Sequence, residues 1–189
     1  MKINEYISKK LGHNDFKVLF DDKTLETRIN SLAKTINRDL QDSDPLVVIG
    51  VLKGSFIFVA DLVRKLTMPV HVEFITASSY LKTQSSGSVQ IHGKDIFPDL
   101  QGKEVLLVED IIDTGLTLQT LVDFIKSKNA SKIHICSLFI KPEKVKIPIQ
   151  NVKYVGFSLG DSFIIGYGLD YEQKYRELPC IIELNKLPG

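Results

Sequence analysis

Hydrophobic residues along the chain follow two alternating patterns, one typical of buried strands and one typical of helices. Continuous apolar runs predict strands at 46–51, 69–76, 104–109 and 132–140. Apolar residues spaced by three or four predict helices at 24–41, 55–66 and 117–128. Strand, helix and strand with short joints predict right-handed βαβ units. The chain is therefore predicted to form an α/β fold, a doubly wound and mostly parallel sheet flanked by helices.

The alternation changes after Lys141. Short strand-like segments (YVGFSL, FIIGYG and CIIEL) then follow without helices between them. Residues 77–93, rich in Ser, Thr, Gly and Gln, predict a long loop, with a short hairpin as the alternative. We expect one domain over 1–189, with a core at about 20–140 and a small β-rich hood lobe. The lobe would run from about 141 to 189, include the N-terminal segment and form a second wall of a pocket.

Composition narrows the class of protein. The chain has 189 residues, of which 43% are hydrophobic, and a formal net charge of +1. Near-neutral charge gives no reason to expect nucleic acid or an anionic membrane as a partner. No apolar stretch approaches the roughly 20 residues of a membrane span, and the N-terminus lacks the apolar stretch of a signal peptide. Cys136 and Cys180 lie in apolar segments, which favours buried free thiols over a disulfide. A cytoplasmic domain is expected.

The segment 105–117, VLLVEDIIDTGLT, carries the strongest chemical signal. Its apolar strand leads into the adjacent acids Glu109 and Asp110, at the sheet edge where open α/β folds bind ligands. The following DTGLT turn opens a helix, and its hydroxyl and N–H groups suit a phosphate. Asp, Thr and Gly are also ordinary turn and cap residues, so the turn alone has a purely structural alternative. Adjacent carboxylates, however, repel each other unless a cation or sugar hydroxyls meet them.

A second candidate loop, Leu52 to Ser55, follows the strand at 46–51. It offers the cation of Lys53, the glycine Gly54 and a helix N-terminus. By itself this pattern is more typical of a turn than of a site. At the same sheet edge as DTGLT, it favours a ligand with two separated phosphate groups. The patterns GxxxxGK[ST] and GxGxxG are absent from the sequence, which disfavours kinase and dinucleotide-binding functions.

Together these segments resemble the type I phosphoribosyltransferases. VLLVEDIIDTGLTLQTL is similar to the family's 5-phosphoribosyl-1-pyrophosphate (PRPP) signature, in the form found in hypoxanthine-guanine phosphoribosyltransferases. VLKGSF resembles the pyrophosphate loop, SSYLKTQSSGSVQI the catalytic lid, and DSFIIGYGLDY and KYRELP the C-terminal substrate segments, over about 46–184. The resemblance implies a Mg²⁺-dependent purine salvage enzyme. It would transfer the 5-phosphoribosyl group from PRPP to hypoxanthine or guanine, giving IMP or GMP and pyrophosphate.

The resemblance also implies roles for individual residues. Glu109 and Asp110 would hold the ribose hydroxyls and magnesium, and Asp113 would be the general base. The 5-phosphate would be bound by the segment that follows the acids: Ile111, Asp113, Thr114, Gly115, Leu116 and Thr117. Some members of the family have lysine where Leu116 stands, so this position would contribute its backbone N–H.

The remaining implied contacts lie on other loops. Pyrophosphate would be bound by Leu52, Lys53 and Gly54, with a cis peptide before the lysine, and by Arg176. Lys141 would donate to the purine 6-oxo group, Phe163 would stack on the base, and Ile164 would offer its backbone. Asp170 would bind a second magnesium, and Ser79 and Tyr80 would belong to the lid. None of the four histidines matches a site position. Without the resemblance, Arg176 would be a surface ion pair, Phe163 a core residue and Asp170 a turn acid.

Two alternatives remain open. One is a related transferase for xanthine or another base, which would differ only around Lys141, Ile164 and Asp170. The other is a regulatory protein that kept the fold to sense PRPP or a nucleotide and to bind nucleic acid. Near-neutral charge and the intact Asp113 disfavour the second alternative. The expected partners are small-molecule substrates and further copies of the chain, in a dimer or a tetramer.

Overall fold

The computed structural model describes residues 3–43, 45–79, 89–93, 97–147, 150 and 152–184, with the side chains of 78 and 79 excepted. It contains two β-sheets, flanking helices and a short 3₁₀ turn at Pro142–Lys144. The helices are α1 (Ile3–Leu11), α2 (Asp22–Asp39), α3 (Phe56–Val63) and α4 (Leu116–Ser127). The strands are β1 (Phe16–Phe20), β2 (Leu46–Leu52), β3 (Val70–Ser79), β4 (Val89–His92), β5 (Glu104–Ile112), β6 (Lys132–Ile140), β7 (Val152–Ser158), β8 (Ile164–Ile165) and β9 (Ile181–Leu184).

The larger sheet has the strand order β4-β3-β2-β5-β6-β7, and every neighbouring pair is parallel except β3 and β4. Alternate residues of its inner strands enter different hydrophobic clusters, as the two-residue period of a strand requires. Val48 and Leu106 pack in the cluster that contains residues of α2 and α3. Val47 and Leu107 pack in the cluster that contains residues of α4. The sheet is therefore buried on both faces, and the predicted doubly wound α/β fold is confirmed.

The smaller sheet is antiparallel, with the order β1-β9-β8. Its core consists of apolar residues of α1, β8, β9 and the segment before β9, among them Ile7, Ile165, Leu178 and Ile182. This sheet is the predicted hood. The N-terminal helix α1 and strand β1 have short, weakly periodic patterns, so the sequence indicated only that the N-terminal segment joins the hood.

Several predicted boundaries differ from the structure, among them the end of the helix predicted at 55–66, since α3 ends at Val63. The segment 77–93 was predicted as a loop, but its first residues are strand, because β3 runs to Ser79. β3 pairs antiparallel with β4, which agrees with the short hairpin given as the alternative. Strand β5 continues three residues beyond the predicted end, so Glu109 and Asp110 lie inside it. YVGFSL, expected in the hood, forms β7 at the edge of the larger sheet, where it pairs in parallel with β6. Among its described residues, the connection between β6 and β7 contains a 3₁₀ turn and no α-helix, so the helix that usually signals a parallel crossover is missing there.

The two cysteines are buried and free, as predicted. Among the described residues, no helix has the length and apolar character that crossing a membrane requires.

Candidate active site

The candidate site lies where strands β2 and β5 separate. They pair from Val47 and Val105 to Gly50 and Val108. Beyond this point β2 continues beside β3, and β5 continues beside β6 as far as Ile112. The chain winds from β2 towards β3 and from β5 towards β6, so this is the point where the winding direction reverses. Open α/β sheets bind ligands in the crevice at such a point.

Glu109 and Asp110 are the first residues of β5 beyond this separation. Glu109 is 8% exposed, and its Oε2 atom has no hydrogen-bond partner. Burial and then repulsion by Asp110 raise the pKa of Glu109 well above its ordinary value. Burial also raises the pKa of Asp110 to about 6, although the backbone N–H of Ile111 donates to its Oδ1 at 2.7 Å. A buried carboxylate pair with an unpartnered oxygen suits a ligand that supplies a cation or hydroxyl groups.

The donor set fits Mg²⁺. This ion is usually bound by one or two carboxylates together with water and substrate phosphates, and not by a closed protein cage. The unpartnered Glu109 Oε2 and the adjacent Asp110 carboxylate provide such hard oxygen ligands. The described residues contain no cluster of three or more His, Cys, Asp or Glu side chains that could hold a metal ion without ligands from outside the protein.

The DTGLT turn forms a small cavity next to these acids. It follows β5 directly, and its last two residues begin α4. Gly115, the residue before α4, has a left-handed conformation (φ 87°). The cavity has a volume of about 70 Å³, more than twice the share of one water molecule. It is lined by Glu109, Ile111, Ile112, Asp113, Thr114, Gly115, Thr117 and Leu118. The helix N-terminus and threonine hydroxyls make it suitable for an oxyanion.

Asp113 has an unpartnered atom in the same region. Its Oδ1 is buried without a hydrogen-bond partner. The turn that carries it is fixed by the segment after β6, because Lys146 donates its backbone N–H to the carbonyl of Thr114 at 3.1 Å. A buried carboxylate oxygen without a donor is positioned to accept a proton or a hydrogen bond from a ligand.

The loop after β2 packs directly on the acid pair. The peptide bond between Leu52 and Lys53 is cis. A Cβ atom added to Gly54 would lie 1.3 Å from Asp110 Oδ2, and one added to Gly168 would lie 2.0 Å from the carbonyl oxygen of Gly54. Glycine at both positions therefore allows the loop to lie between the carboxylate of Asp110 and the segment after β8.

Two cations converge beside this loop. Lys53 Nζ donates to Gln173 Oε1 at 3.1 Å, and Arg176 Nη2 donates to the same oxygen at 3.2 Å. Arg176 also pairs with Asp170 Oδ1 at 2.7 Å and donates to the carbonyl of Gly168 at 2.8 Å. The Arg176 side chain is only 18% exposed, so it is not an ordinary surface ion pair. The sequence analysis did not identify Gln173 as a site residue. The one feature of the sequence that indicates it is its position between Asp170 and Arg176, which were both predicted to bind ligands.

Lys141, Phe163 and Ile164 lie together at the other end of the site. Lys141 follows β6, is 7% exposed, and donates from Nζ to the carbonyl of Ser162 at 2.8 Å. Phe163 is 44% exposed, with its ring 6.0 Å from that of Tyr171, so its assignment as a core residue would be wrong. Ile164 is buried in β8. A cation bound to the carbonyl of the residue before an exposed aromatic ring suits a planar heterocycle that carries an acceptor.

The remaining predicted positions are Asp170, Ser79 and Tyr80. Both oxygens of Asp170 are engaged, Oδ1 with Arg176 and Oδ2 with the backbone N–H of Gln173. Ser79 is the last residue of β3, and Tyr80 lies outside the described residues. His134 pairs with Glu104 at 2.8 Å, at the start of β5 and far along the strand from Glu109.

Comparison with known proteins connects this geometry to one family. The model of the phosphoribosyl transferase domain matches residues 17–172. The hypoxanthine-guanine phosphoribosyltransferase of Dictyostelium discoideum is 42% identical over 174 residues, which cover 90% of this chain and 96% of that protein.

Solved structures agree. A hypoxanthine-guanine phosphoribosyltransferase from Bacillus anthracis superposes with a TM-score of 0.82 at 42% identity, covering 89% of this chain and 98% of that one. The hypoxanthine phosphoribosyltransferase of Trypanosoma cruzi, in complex with its product IMP, gives a TM-score of 0.81 at 41% identity, covering 89% and 93%. The chain therefore belongs to the phosphoribosyltransferase family, in its hypoxanthine-guanine branch.

Proposed function

We propose that this protein is a Mg²⁺-dependent 6-oxopurine phosphoribosyltransferase of purine salvage. It transfers the 5-phosphoribosyl group of PRPP to hypoxanthine or guanine, giving IMP or GMP and pyrophosphate. The observation that carries the proposal is the convergence of three features at one sheet edge. These are the buried Glu109–Asp110 pair, the DTGLT cavity, and the two cations Lys53 and Arg176.

The acid pair is assigned to the ribose and the metal. Glu109 and Asp110 accept hydrogen bonds from the ribose hydroxyls and provide oxygen ligands for Mg²⁺. Bound there, Mg²⁺ would supply positive charge that offsets the charge of the pyrophosphate group. The DTGLT turn binds the 5-phosphate through hydroxyl and backbone N–H groups at the start of α4. Asp170 is assigned to a second magnesium on the pyrophosphate side, through a water molecule or a free lone pair, because both of its oxygens already accept hydrogen bonds.

Asp113 is assigned as the general base. In the reaction a ring nitrogen of the purine imidazole bonds to the anomeric carbon, and the bond from that carbon to the pyrophosphate oxygen breaks. The transition state resembles an oxocarbenium ion, as in other displacements at sugar carbons. The proton of the attacking nitrogen passes to Asp113, whose buried Oδ1 has no donor of its own. A carboxylate is a weak base for an isolated purine, but the nitrogen becomes more acidic as it bonds to carbon.

Lys141 is assigned to the choice of base. Its ammonium group supplies only donors, so it favours a 6-oxo group and disfavours the 6-amino group of adenine. The Ser162 carbonyl holds this ammonium beside Phe163, whose exposed ring stacks on the purine. A related transferase for xanthine would use the same scaffold with different contacts around Lys141 and Ile164.

The experiment is an assay of PRPP consumption with hypoxanthine, guanine, xanthine, adenine and uracil in turn. We expect turnover with hypoxanthine or guanine and none with adenine or uracil. Asp113→Asn keeps the shape of the side chain and removes the base, so it should lower turnover by about 10²- to 10⁴-fold. A protein that binds PRPP but transfers it to none of these bases would instead support the regulatory alternative.

Further parts of the proposal concern the surroundings of the site. Ser79 and Tyr80 are assigned to a lid that excludes water, and the smaller sheet to a hood over the core. We propose a homo-oligomer, a dimer or a tetramer, because the large apolar side chains of Phe56, Val72 and Phe74 are exposed. Two free buried thiols agree with the reducing conditions of the cytoplasm. Light scattering would give the oligomeric state directly.

A further inference from the structure

The carboxamide oxygen of Gln173 lies between the two cations of the site. It accepts from Lys53 Nζ at 3.1 Å and from Arg176 Nη2 at 3.2 Å. Lysine and arginine side chains can only donate, so the oxygen of the amide, and not its nitrogen, must face them. One neutral acceptor therefore holds together two positive charges that come from different parts of the fold, the loop after β2 and the segment after β8.

The turn that presents this oxygen is itself fixed. The backbone N–H of Gln173 donates to Asp170 Oδ2 at 2.8 Å, while Asp170 Oδ1 pairs with Arg176 at 2.7 Å. Tyr171 and Lys174 close the turn with backbone hydrogen bonds in both directions. Gln173 has a left-handed backbone (φ 65°), which non-glycine residues adopt only where the surroundings enforce it. The turn fixes the backbone of Gln173, and the hydrogen bonds to Lys53 and Arg176 hold its side chain.

We infer that Gln173 is a positioning residue for the pyrophosphate site. Its amide oxygen occupies the point where an oxygen of pyrophosphate binds, and it keeps Lys53 and Arg176 aimed at that point until the ligand arrives. The inference rests on the proposed function only in naming pyrophosphate, or the pyrophosphate group of PRPP, as the ligand. A charged phosphoryl oxygen replaces the neutral amide oxygen because it adds the attraction between opposite charges to the hydrogen bonds from the same two cations.

The two cations depend on Gln173 to different degrees. Arg176 is held independently by Asp170 and by the carbonyl of Gly168, and its side chain is mostly buried. Lys53 is exposed, and its flexible four-carbon stem places the ammonium within reach of Arg176 through the contact with Gln173. Loss of the amide oxygen therefore releases mainly Lys53. Ordering one long side chain on binding then weakens pyrophosphate affinity by about 3- to 10-fold.

A carboxylate at the same position has the opposite chemistry and a larger effect. Gln173→Glu keeps the length of the side chain but places a negative charge between the cations. The ligand must then displace a charged acceptor and also approach a like charge, and each of these disfavours binding. We expect affinity for pyrophosphate to fall by about 30-fold or more.

The experiment compares Gln173→Met and Gln173→Glu with the wild type. Methionine, glutamate and glutamine are all long and unbranched, so the left-handed turn is affected alike. Glu172→Met is the control for a change in the same turn, since Glu172 is exposed and also left-handed (φ 51°). Gln101→Glu is the control for added charge, since Gln101 is exposed and lies in the turn before β5. Binding of inorganic pyrophosphate is measured by calorimetry with and without Mg²⁺, alongside Tm and the KM values for PRPP and hypoxanthine.

We expect both Gln173 variants to lose pyrophosphate affinity and to raise the KM for PRPP, with Glu the weaker binder of the two. The KM for hypoxanthine and the Tm should stay near the wild-type values, and the controls should bind as the wild type does. Equal affinity in the wild type and both variants would overturn the inference, as would a parallel rise in both KM values with a lower Tm. If the wild type transfers PRPP to no base, the proposed function fails, and the pyrophosphate titration still decides the role of Gln173.

Discussion

Removing one charge from the buried acid pair should stabilise the ligand-free protein at neutral pH. Burial raises the pKa of Asp110 to about 6 from its ordinary 3.8. Each pKa unit corresponds to 1.36 kcal/mol, so the ionised carboxylate destabilises the folded state by about 3 kcal/mol. Asp110→Asn keeps the acceptor for the Ile111 N–H and removes this cost.

The sign of the pH dependence follows from linkage. Between about pH 4 and pH 6 the folded protein binds more protons at Asp110 than the unfolded chain does, so its stability falls as the pH rises. Below about pH 4 the carboxyl group is protonated in both states, and the variant gains nothing from the lost charge. We therefore expect Asp110→Asn to raise the free energy of unfolding by about 2–3 kcal/mol at pH 7.5 and by much less at pH 4.

Urea denaturation with a chelator present, at both pH values, measures this difference. Asp42→Asn, which changes an exposed acid in the turn after α2, is the matched control and should leave stability nearly unchanged. Pyrophosphate with Mg²⁺ should stabilise the wild type more than Asp110→Asn, because the wild type regains its lost stability when cations meet the acid pair. A variant no more stable than the wild type at pH 7.5, or equally stabilised at both pH values, would refute the reasoning.

Two further predictions test other parts of the site, and a third tests a buried hydrogen bond outside it. Gly54→Ala should raise the KM for PRPP at least about tenfold, because the new Cβ atom would lie 1.3 Å from Asp110 Oδ2. Gly160→Ala is the control and should leave this KM unchanged, because a Cβ atom at Gly160 meets nothing within 4 Å. Lys141→Met should raise the KM for hypoxanthine about tenfold or more, because the donor to the base is lost. Pyrophosphate affinity, measured by calorimetry, should stay within about twofold of the wild-type value. Equal losses for both ligands would contradict the assignment of Lys141 to the base. Tyr167→Phe should lower the free energy of unfolding, measured in urea, by about 1 kcal/mol, because the buried hydroxyl donates to Asp61 at 2.5 Å and joins the segment after β8 to α3. An unchanged free energy would show that this bond contributes nothing.

Secondary structure was predictable where the spacing of apolar residues matches the faces of the strand or helix that are buried. β2 and β6 are apolar on both faces, and their predicted bounds are close to those observed. β7 was assigned to the wrong sheet because the described part of its connection to β6 forms a 3₁₀ turn and no α-helix, so the usual signal of a parallel crossover is missing. The predicted strand ended at Glu109 because the adjacent acids end the apolar run, whereas β5 continues to Ile112 and pairs with β6 up to that residue.

The candidate site was predictable where chemistry is local in sequence. One short stretch, residues 109–117, contains Glu109, Asp110 and the DTGLT turn. Their common position therefore follows from one strand and one turn. Gln173 could not be predicted in this way, because its importance comes from Lys53, which lies on another loop 120 residues earlier. A glutamine in a turn carries no charge and no motif, so only the three-dimensional contact reveals its place between two cations.

The most direct test of the account is product analysis of one reaction. Purified protein is mixed with PRPP, Mg²⁺ and hypoxanthine, and the products are identified by mass spectrometry, with adenine in a parallel reaction and Asp113→Asn as the control. We expect IMP and pyrophosphate in equal amounts, no AMP, and greatly reduced IMP with the variant. Absence of IMP from a folded wild type that binds PRPP, or equal IMP formation by Asp113→Asn, would contradict it.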